Sequence, residues 1–389
     1  MDSIPKNRLL KLFTTLFYYF SILIFFIAFN FRDNPGGWQL QYLPNLNGQS
    51  ISDVTFLDSL TGFFITGNLN TPSGINFIYK TTNGGSNWQN TYSDNKDFAR
   101  IIFINSQTGF VCGGYNNYTN NLLKTTNQGD IWFSLNTPYS FIFKDMSILN
   151  EDTIWLVSDM ALEGGVFRST NGGQNWIMQS NLNPDKIYMV NKNLGFIRRG
   201  DAPFGAYIGR TTDGGYNWTL NTNADTTFDE IYFIDSLTGY KCDQNIQKTT
   251  DGGLTWTWQI LPHLNFANEM LSFSFINKDT IFGVGGVYQF PSAYRGLVYK
   301  TANGGINWGY QIPDTSFGIT QLWYIKFIIS LKGWAFRGSY KNIYTNTGGS
   351  DTTLYTRINN KIISVPINFE LKQNYPNPYN LSTKFIKKY

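Results

Sequence analysis

Apolar and polar positions along most of this chain alternate in short runs separated by turns, and the arrangement repeats. Val54-Thr55-Phe56-Leu57-Asp58-Ser59-Leu60-Thr61-Gly62-Phe63 returns as Ile231-Tyr232-Phe233-Ile234-Asp235-Ser236-Leu237-Thr238-Gly239-Tyr240. Ile101 to Phe110 and Ile325 to Trp334 are further versions, with looser ones between them. An apolar run, a polar turn and a second apolar run predict a two-stranded hairpin. A third short run follows, as in Phe77-Ile78-Tyr79-Lys80, and leads into Thr81-Thr82-Asn83-Gly84-Gly85-Ser86-Asn87-Trp88, whose Trp opens a fourth.

That octet sets the period. Its closing residue is Trp88, Trp132, Trp176, Trp218, Trp256 or Trp308, at steps of 44, 44, 42, 38 and 52 residues. A worn seventh copy, Thr345 to Asp351, lacks the Trp. The turn acceptor is Asn83, Asn127, Asn171, Asp213, Asp251 or Asn303. An Asn or Asp side chain there can accept from backbone amides just ahead, the Gly pair supplies positive φ, and the indole packs under the turn. Four strands per roughly 44 residues is the unit of a β-propeller blade. The prediction is an all-β, seven-bladed propeller of four-stranded blades. Trp38-Gln39-Leu40-Gln41 matches the start of a fourth strand without a blade of its own. It is therefore expected to supply the outer strand of blade seven and close the ring, removing open sheet edges.

The octets resemble the Asp-box (BNR) repeat, a turn between the third and fourth strands of a propeller blade. Over residues 36–350 the chain also resembles the photosystem II stability and assembly factor family, which shares the Gly-aromatic strand phrase and the Asn-Gly-Gly-x-x-Trp turn. That resemblance implies an exported propeller with a binding role. Asp boxes occur too in sialidases, xyloglucan-cleaving glycoside hydrolases and sortilin-like receptors, where the box is a structural turn, so fold alone does not fix function.

Composition agrees with strands and turns: 17% aromatic, 14% charged and 37 Gly. The net charge of +4 sits at the ends, +3 in residues 1–32 and +3 in 370–389, leaving the body at about −2. No basic footprint for nucleic acid remains. Residues 1–32 have a basic start followed by the apolar run Leu12 to Phe31, the layout of a secretory signal. The run is also long enough for an uncleaved membrane anchor. Either reading takes the body, residues 33–360, out of the cytoplasm. In the remaining segment, 361–389, Gln373-Asn374-Tyr375-Pro376-Asn377-Pro378 with Ser382-Thr383 resembles the opening of the C-terminal sorting domain of the type IX secretion system of Bacteroidetes-like bacteria. That likeness implies passage across the outer membrane, a secreted or surface location, and the type IX machinery as a partner. The family domain is several times longer than the stretch present.

Catalytic signals are thin. The single histidine, His263, has no Cys or His neighbour, which leaves little for a metal site or a Ser-His-Asp arrangement. No cofactor or metal is expected. Arg100, Arg198, Arg199, Arg295 and Arg337 do not match the sialidase arginine motifs. Cys112 and Cys242 occupy equivalent places three blades apart, too far for a disulfide, and read as small buried hydrophobes. A paired-carboxylate glycosidase is the alternative to a binding module. Its candidates are Asp53, Asp145, Asp229 and Glu230, at the starts of inner strands on one channel mouth, with Arg100 and Lys144 as counter-charges. The plainer reading of these acids is a wet, polar rim.

The same mouth is expected to carry long loops on blades one, two and six, at residues 67–76, 113–121 and 285–296. They hold the ligand-binding candidates Tyr115, Tyr118, Tyr288, Phe290, Tyr294 and Arg295. Exposed aromatics beside an Arg suit a protein or glycan contact surface, whereas rings folded onto their own blades would be core. Finally, a basic residue precedes six boxes: Lys80, Lys124, Arg168, Arg210, Lys248 and Lys300. These form either an anionic docking ring on the opposite face or stems lying over each blade's Trp.

Overall fold

The computed structural model describes residues 37–67, 74–115, 119–137, 142–158, 164–200, 205–222, 227–262, 267–338, 340–349 and 353–355. The proposed leader at 1–32, the tail at 361–389, Tyr118 and His263 lie outside the described residues. Apart from one 3-10 turn at Thr315–Phe317, every regular element described is a strand.

The strands form seven antiparallel sheets, five of which follow the chain as simple meanders. Their first strands are β2 (Ile51–Phe56), β6 (Phe98–Phe103), β10 (Asp145–Ile148), β14 (Lys186–Met189), β18 (Glu230–Phe233), β22 (Ala267–Phe275) and β26 (Tyr324–Ile329). First strands of adjacent sheets touch one another around the ring, the fourth and fifth through the bond from Phe233 N to Tyr188 OH, so they line its axis. This is the expected seven-bladed propeller, and it closes as expected. The chain's opening strand β1 (Trp38–Tyr42) pairs antiparallel with β28 (Lys341–Thr345), Trp38 opposite Thr345 and Tyr42 opposite Lys341. Trp38 is fully buried and donates its indole N–H to Gln311 of blade six at 2.8 Å. Asn342 and Gln41, 301 residues apart, share a buried hydrogen bond of 2.8 Å. Because β1 fills the outer position of blade seven, the chain beyond the seventh turn goes to another open edge. It adds β29 (Thr353–Tyr355) to blade six, outside β25 (Trp308–Gln311). The repeat pattern carries no signal for that fifth strand.

The core is divided into seven hydrophobic clusters, one in each seam between neighbouring blades. Strand alternation sends one face of every sheet to the preceding blade and the other to the next. Val54 and Phe56 therefore meet Trp334 and Phe336 of blade seven, with Phe56 stacked on Trp334 at 3.7 Å between ring centres. Cys112 and Cys242 are buried free thiols in two such seams.

The repeated turn fastens each seam. In blade one, Asn83 Oδ1 accepts from Asn87 N at 2.8 Å and Thr81 Oγ1 accepts from Gly85 N at 2.8 Å. The other turns repeat these bonds, as at Asn171 and Asp251. The two glycines have φ near +69° and +86°, and a Cβ on Gly253 would come within 2.4 Å of the Phe196 ring in the preceding blade. The turn carbonyls are acceptors for that preceding blade: Trp334 Nε1 donates to Gly84 O at 2.9 Å, Trp155 Nε1 to Gly214 O at 3.1 Å, and Tyr240 OH to Gly304 O at 2.8 Å. The turn's own Trp folds back beneath it, as Trp176 does onto Gly173 O at 3.0 Å.

The basic residues before the turns lie in the same seams. Lys80, Lys124, Arg168, Lys248 and Lys300 sit 4.8 to 5.8 Å over the second-strand rings Phe63, Phe110, Trp155, Tyr240 and Phe282. The charged heads thus lie over the second-strand aromatic rather than over the turn Trp. Their heads reach the next blade: Arg210 Nε donates to Gly252 O at 2.8 Å, and Lys80 pairs with Asp130 at 2.7 Å.

Replacing Trp38 with Ala removes a buried aromatic and its hydrogen bond to Gln311, so it is expected to cost about 3–5 kcal/mol in urea unfolding. Trp258→Ala, on an exposed outer strand, should cost about 0.5 kcal/mol or less. An acid titration provides a second check. Asp213 is held down to about 2, mainly by the Asn217 N–H, and Asp251 to about 2, mainly by the Thr255 hydroxyl. Depressed carboxylates contribute stability above the unfolded value of about 3.9 and lose it as pH falls towards 2. Asp213→Asn/Asp251→Asn should therefore flatten the acid limb of a stability–pH curve between about 4 and 2 while preserving the turns.

Candidate functional site

Counted from the second-strand pairing, one inner-strand position is equivalent in all blades: Asp53, Arg100, Asp145, Lys186, Glu230, Ser272 and Tyr324. The charge alternates over the first five. Two residues further on stand Thr55, Ile102, Ser147, Tyr188, Tyr232, Ser274 and Lys326, and two beyond those the aliphatics Leu57, Ile104, Leu149, Val190, Ile234, Ile276 and Ile328. Opening onto the polar end is a cavity of about 250 Å³. Arg100, Lys186 and Lys326 line it together with Asp145, Asp229 and Glu230, and Tyr188, Tyr232 and Phe275 form its aromatic wall.

The acids in this ring are stitches between blades. Asp53 accepts from Val54 N at 2.8 Å and from Ile101 N of blade two at 3.0 Å. Asp145 accepts from Met146 N at 2.9 Å and Ile187 N of blade four at 3.1 Å, and Glu230 from Phe273 N of blade six at 2.8 Å. Ser147 and Ser274 make the same inter-blade bond to Met189 N and Phe327 N. Asp229 lies one residue earlier and binds the Arg198 guanidinium, which also faces Asp185. Between Asp53 and Asp145 stands Arg100, with Nε 3.6 and 3.5 Å from their carboxylates. Asp53 does most to raise the Arg100 pKa, burial opposes it, and Asp145 and Glu230 add to the rise. Burial pushes the Tyr188 phenol up to about 12, despite its bond from Phe233 N. Acids placed in this way hold strands in register. An acid–base pair would need carboxylate oxygens open to a sugar and a water. Among the described residues, no group of three His, Cys, Asp or Glu side chains is arranged to hold a metal ion.

The ligand-contact candidates are arranged differently from the loops expected. Residues 285–296 form a hairpin extension: β23 (Ile281–Phe290) and β24 (Ala293–Thr301) stay paired as far as Phe290 opposite Ala293, past a bulge between Val284 and Val287. Val287-Tyr288-Gln289-Phe290 and Ala293-Tyr294-Arg295 alternate well enough to continue the ladder, and Pro291-Ser292 makes the turn. Tyr288 is half-buried against the blade five–six core with its ring 4.9 Å from Phe290. Arg295 donates to Thr315 O at 2.9 Å and Tyr294 O at 2.7 Å, which fixes it as a brace. Tyr294 is exposed. Tyr115 ends the strand Gly109–Tyr115, and Tyr118 lies outside the described residues.

Other exposed aromatics share this end of the ring and were missed in the sequence. Trp323 precedes β26, Tyr340 precedes β28, and Tyr42 ends β1; they are 42%, 58% and 62% exposed, and Ile75 of blade one is 55% exposed. Antiparallel order places all of them, with Tyr294, at the polar mouth on blades six, seven and one. Trp323 lies against Gly338, where a Cβ would meet its ring at 2.8 Å, and Leu43 N donates to Tyr340 O at 2.9 Å beside Tyr42. Gln321 ties this segment to Gly285 O of blade six at 3.2 Å. A sequence signal existed for Trp323: equivalent places hold Ser52, Ala99, Lys144, Asp185, Asp229 and Leu271. The opposite face carries exposed aliphatics at repeated turn positions, such as Leu60, Leu237, Leu254 and Ile306.

These features define a closed seven-bladed propeller with an aromatic patch beside a polar, charged channel mouth. No family model and no curated protein matches the chain at the level of sequence. Solved structures do match its fold. YCF48 bound to D1 peptide superposes with a TM-score of 0.59 at 16% identity, covering 81% of this chain and 97% of that one. YCF48 from Cyanidioschyzon merolae gives 0.54 at 16%, covering 79% and 98%. The extracellular domain of the putative hybrid two component system BT4673 from B. thetaiotaomicron gives 0.54 at 12%, covering 79% and 39%. At these identities the likeness is one of fold.

If the acids are stitches, Asp53→Ala and Asp145→Ala should each cost about 1–3 kcal/mol by stranding a buried amide of the next blade. The double variant should cost more than their sum, because Arg100 then loses both counter-charges. A double-mutant cycle by urea unfolding measures the coupling; strict additivity would refute it.

Proposed function

We propose that this protein is an exported, non-catalytic binding module whose partner is a protein segment docking across blades six, seven and one. The observation that carries this reading is the cluster of exposed Tyr42, Tyr294, Trp323 and Tyr340 at one end of the ring. Large amphipathic rings held on rigid strand ends are the side chains that dominate protein contacts, and exposed apolar patches of this kind mark interaction sites. A propeller of similar fold has been solved with D1 peptide bound, which supports a peptide-like partner. Export rests on the apolar leader at 12–31, and the type IX route on Gln373-Asn374-Tyr375-Pro376-Asn377-Pro378. A surface or extracellular location follows from those two segments.

The test is photo-crosslinking in the native cell, with a crosslinkable residue at Trp323 or Tyr340 and a control at Leu254 on the opposite face. Protein crosslinks are expected from the first two, and they should disappear in Tyr294→Ala/Tyr42→Ala. Crosslinks from Leu254 alone would sink the proposal. Binding to a polysaccharide panel that needs Trp323 would replace the protein partner with a glycan.

A further inference from the structure

The cavity on the ring axis is separate from the aromatic patch and presents unused groups of both signs. The side chains of Lys186 and Lys326 line it without a hydrogen bond or ion pair to any described residue. Among the described residues Arg100 makes two ion pairs, through Nε, and that nitrogen has no hydrogen-bond partner. Glu230 commits one oxygen, Oε2, to Phe273 N, and Asp229 commits Oδ1 to Arg198. Both residues line the cavity, and the second oxygen of each has no hydrogen bond to a described residue. Tyr232 and Phe275, stacked 4.5 Å apart, supply an apolar wall beside these groups. The volume of about 250 Å³ corresponds to about eight waters' share of liquid.

We propose that this cavity binds a small zwitterion with an apolar body, a free amino acid or a very short peptide. Its carboxylate meets the Lys186, Lys326 and Arg100 donors, its ammonium meets Glu230 and Asp229, and its side chain lies along the Tyr232–Phe275 wall. A simple anion would leave the open Glu230 and Asp229 oxygens unmet, and a simple cation would leave Lys186 and Lys326 unmet. Only a ligand carrying both charges satisfies the lining.

Calorimetry on the full chain tests this with L-phenylalanine, L-leucine and Gly-Phe, against phenylacetate, phenethylamine and N-acetyl-phenylalanine amide. At least one zwitterion should bind saturably at one site, and the three analogues should bind at least tenfold more weakly. Lys326→Met and Lys186→Met should each weaken zwitterion binding by tenfold or more, while Lys278→Met, an exposed lysine paired with Asp279, should leave it unchanged. Binding by phenylalanine and Gly-Phe alike would admit short peptides; binding by the free amino acids alone would assign the site to them. Equal binding of the blocked amide, binding indifferent to both cavity lysines, or no saturable binding of any zwitterion would overturn the proposal. Crosslinking at Trp323 reads the other surface and is unaffected by the outcome.

Discussion

Every blade of this protein depends on having two neighbours. A four-stranded sheet of this length buries little by itself, and its apolar faces are covered only by the sheets on either side. Ring closure is therefore the governing constraint. The pairing of β1 with β28, sealed by the fully buried Trp38, joins the two ends of the propeller and gives blade seven its outer strand. Without it, the seams on both sides of blade seven would lie open, and Phe56 would lose the indole on which it stacks. The closing strand is also the chain's first described strand, so the earliest and latest parts of the propeller are held in one sheet.

Within that constraint, polar groups carry much of the specificity of assembly. The turn carbonyls accept from the preceding blade's second strand, and inner-strand acids and serines accept from the next blade's inner strand. These bonds are satisfied only when adjacent blades stand at the correct height, because an unpaired buried amide is costly. Asp53 and Asp145 thus set register, and Arg100 between them screens their mutual repulsion. The same arrangement leaves the axis polar at one end and aliphatic at the other. The proposed contact surface and the cavity both lie at the polar end.

The repeat was legible because its period arises from local chemistry: strand alternation, an Asn or Asp turn acceptor, and glycines with positive φ. Those same rules gave blade number, strand order and the missing outer strand of blade seven. They failed where context outweighed local pattern. Residues 285–296 carry glycines at 285, 286 and 296 that suggest a loop, yet pairing continues through them as an extended hairpin with a bulge. Arg295 looks like a ligand contact in sequence but braces the segment that enters blade seven. Trp323, Tyr340 and Tyr42 lie far apart in the chain, or at strand ends, and only the ring brings them to one mouth.

The sequence by itself determined the blade, its turn and its count, because each depends on residues within about one repeat of one another. The tertiary structure alone decided what the charged residues do. Whether Asp145 is a catalytic acid or a stitch depends on the amide of Ile187, 42 residues away in the next blade, and on Arg100 in the blade before. Whether Lys326 and Lys186 share a cavity depends on three blades' separation being folded back around a common axis. Local patterns encode the unit; closure of the ring sets which side chains meet.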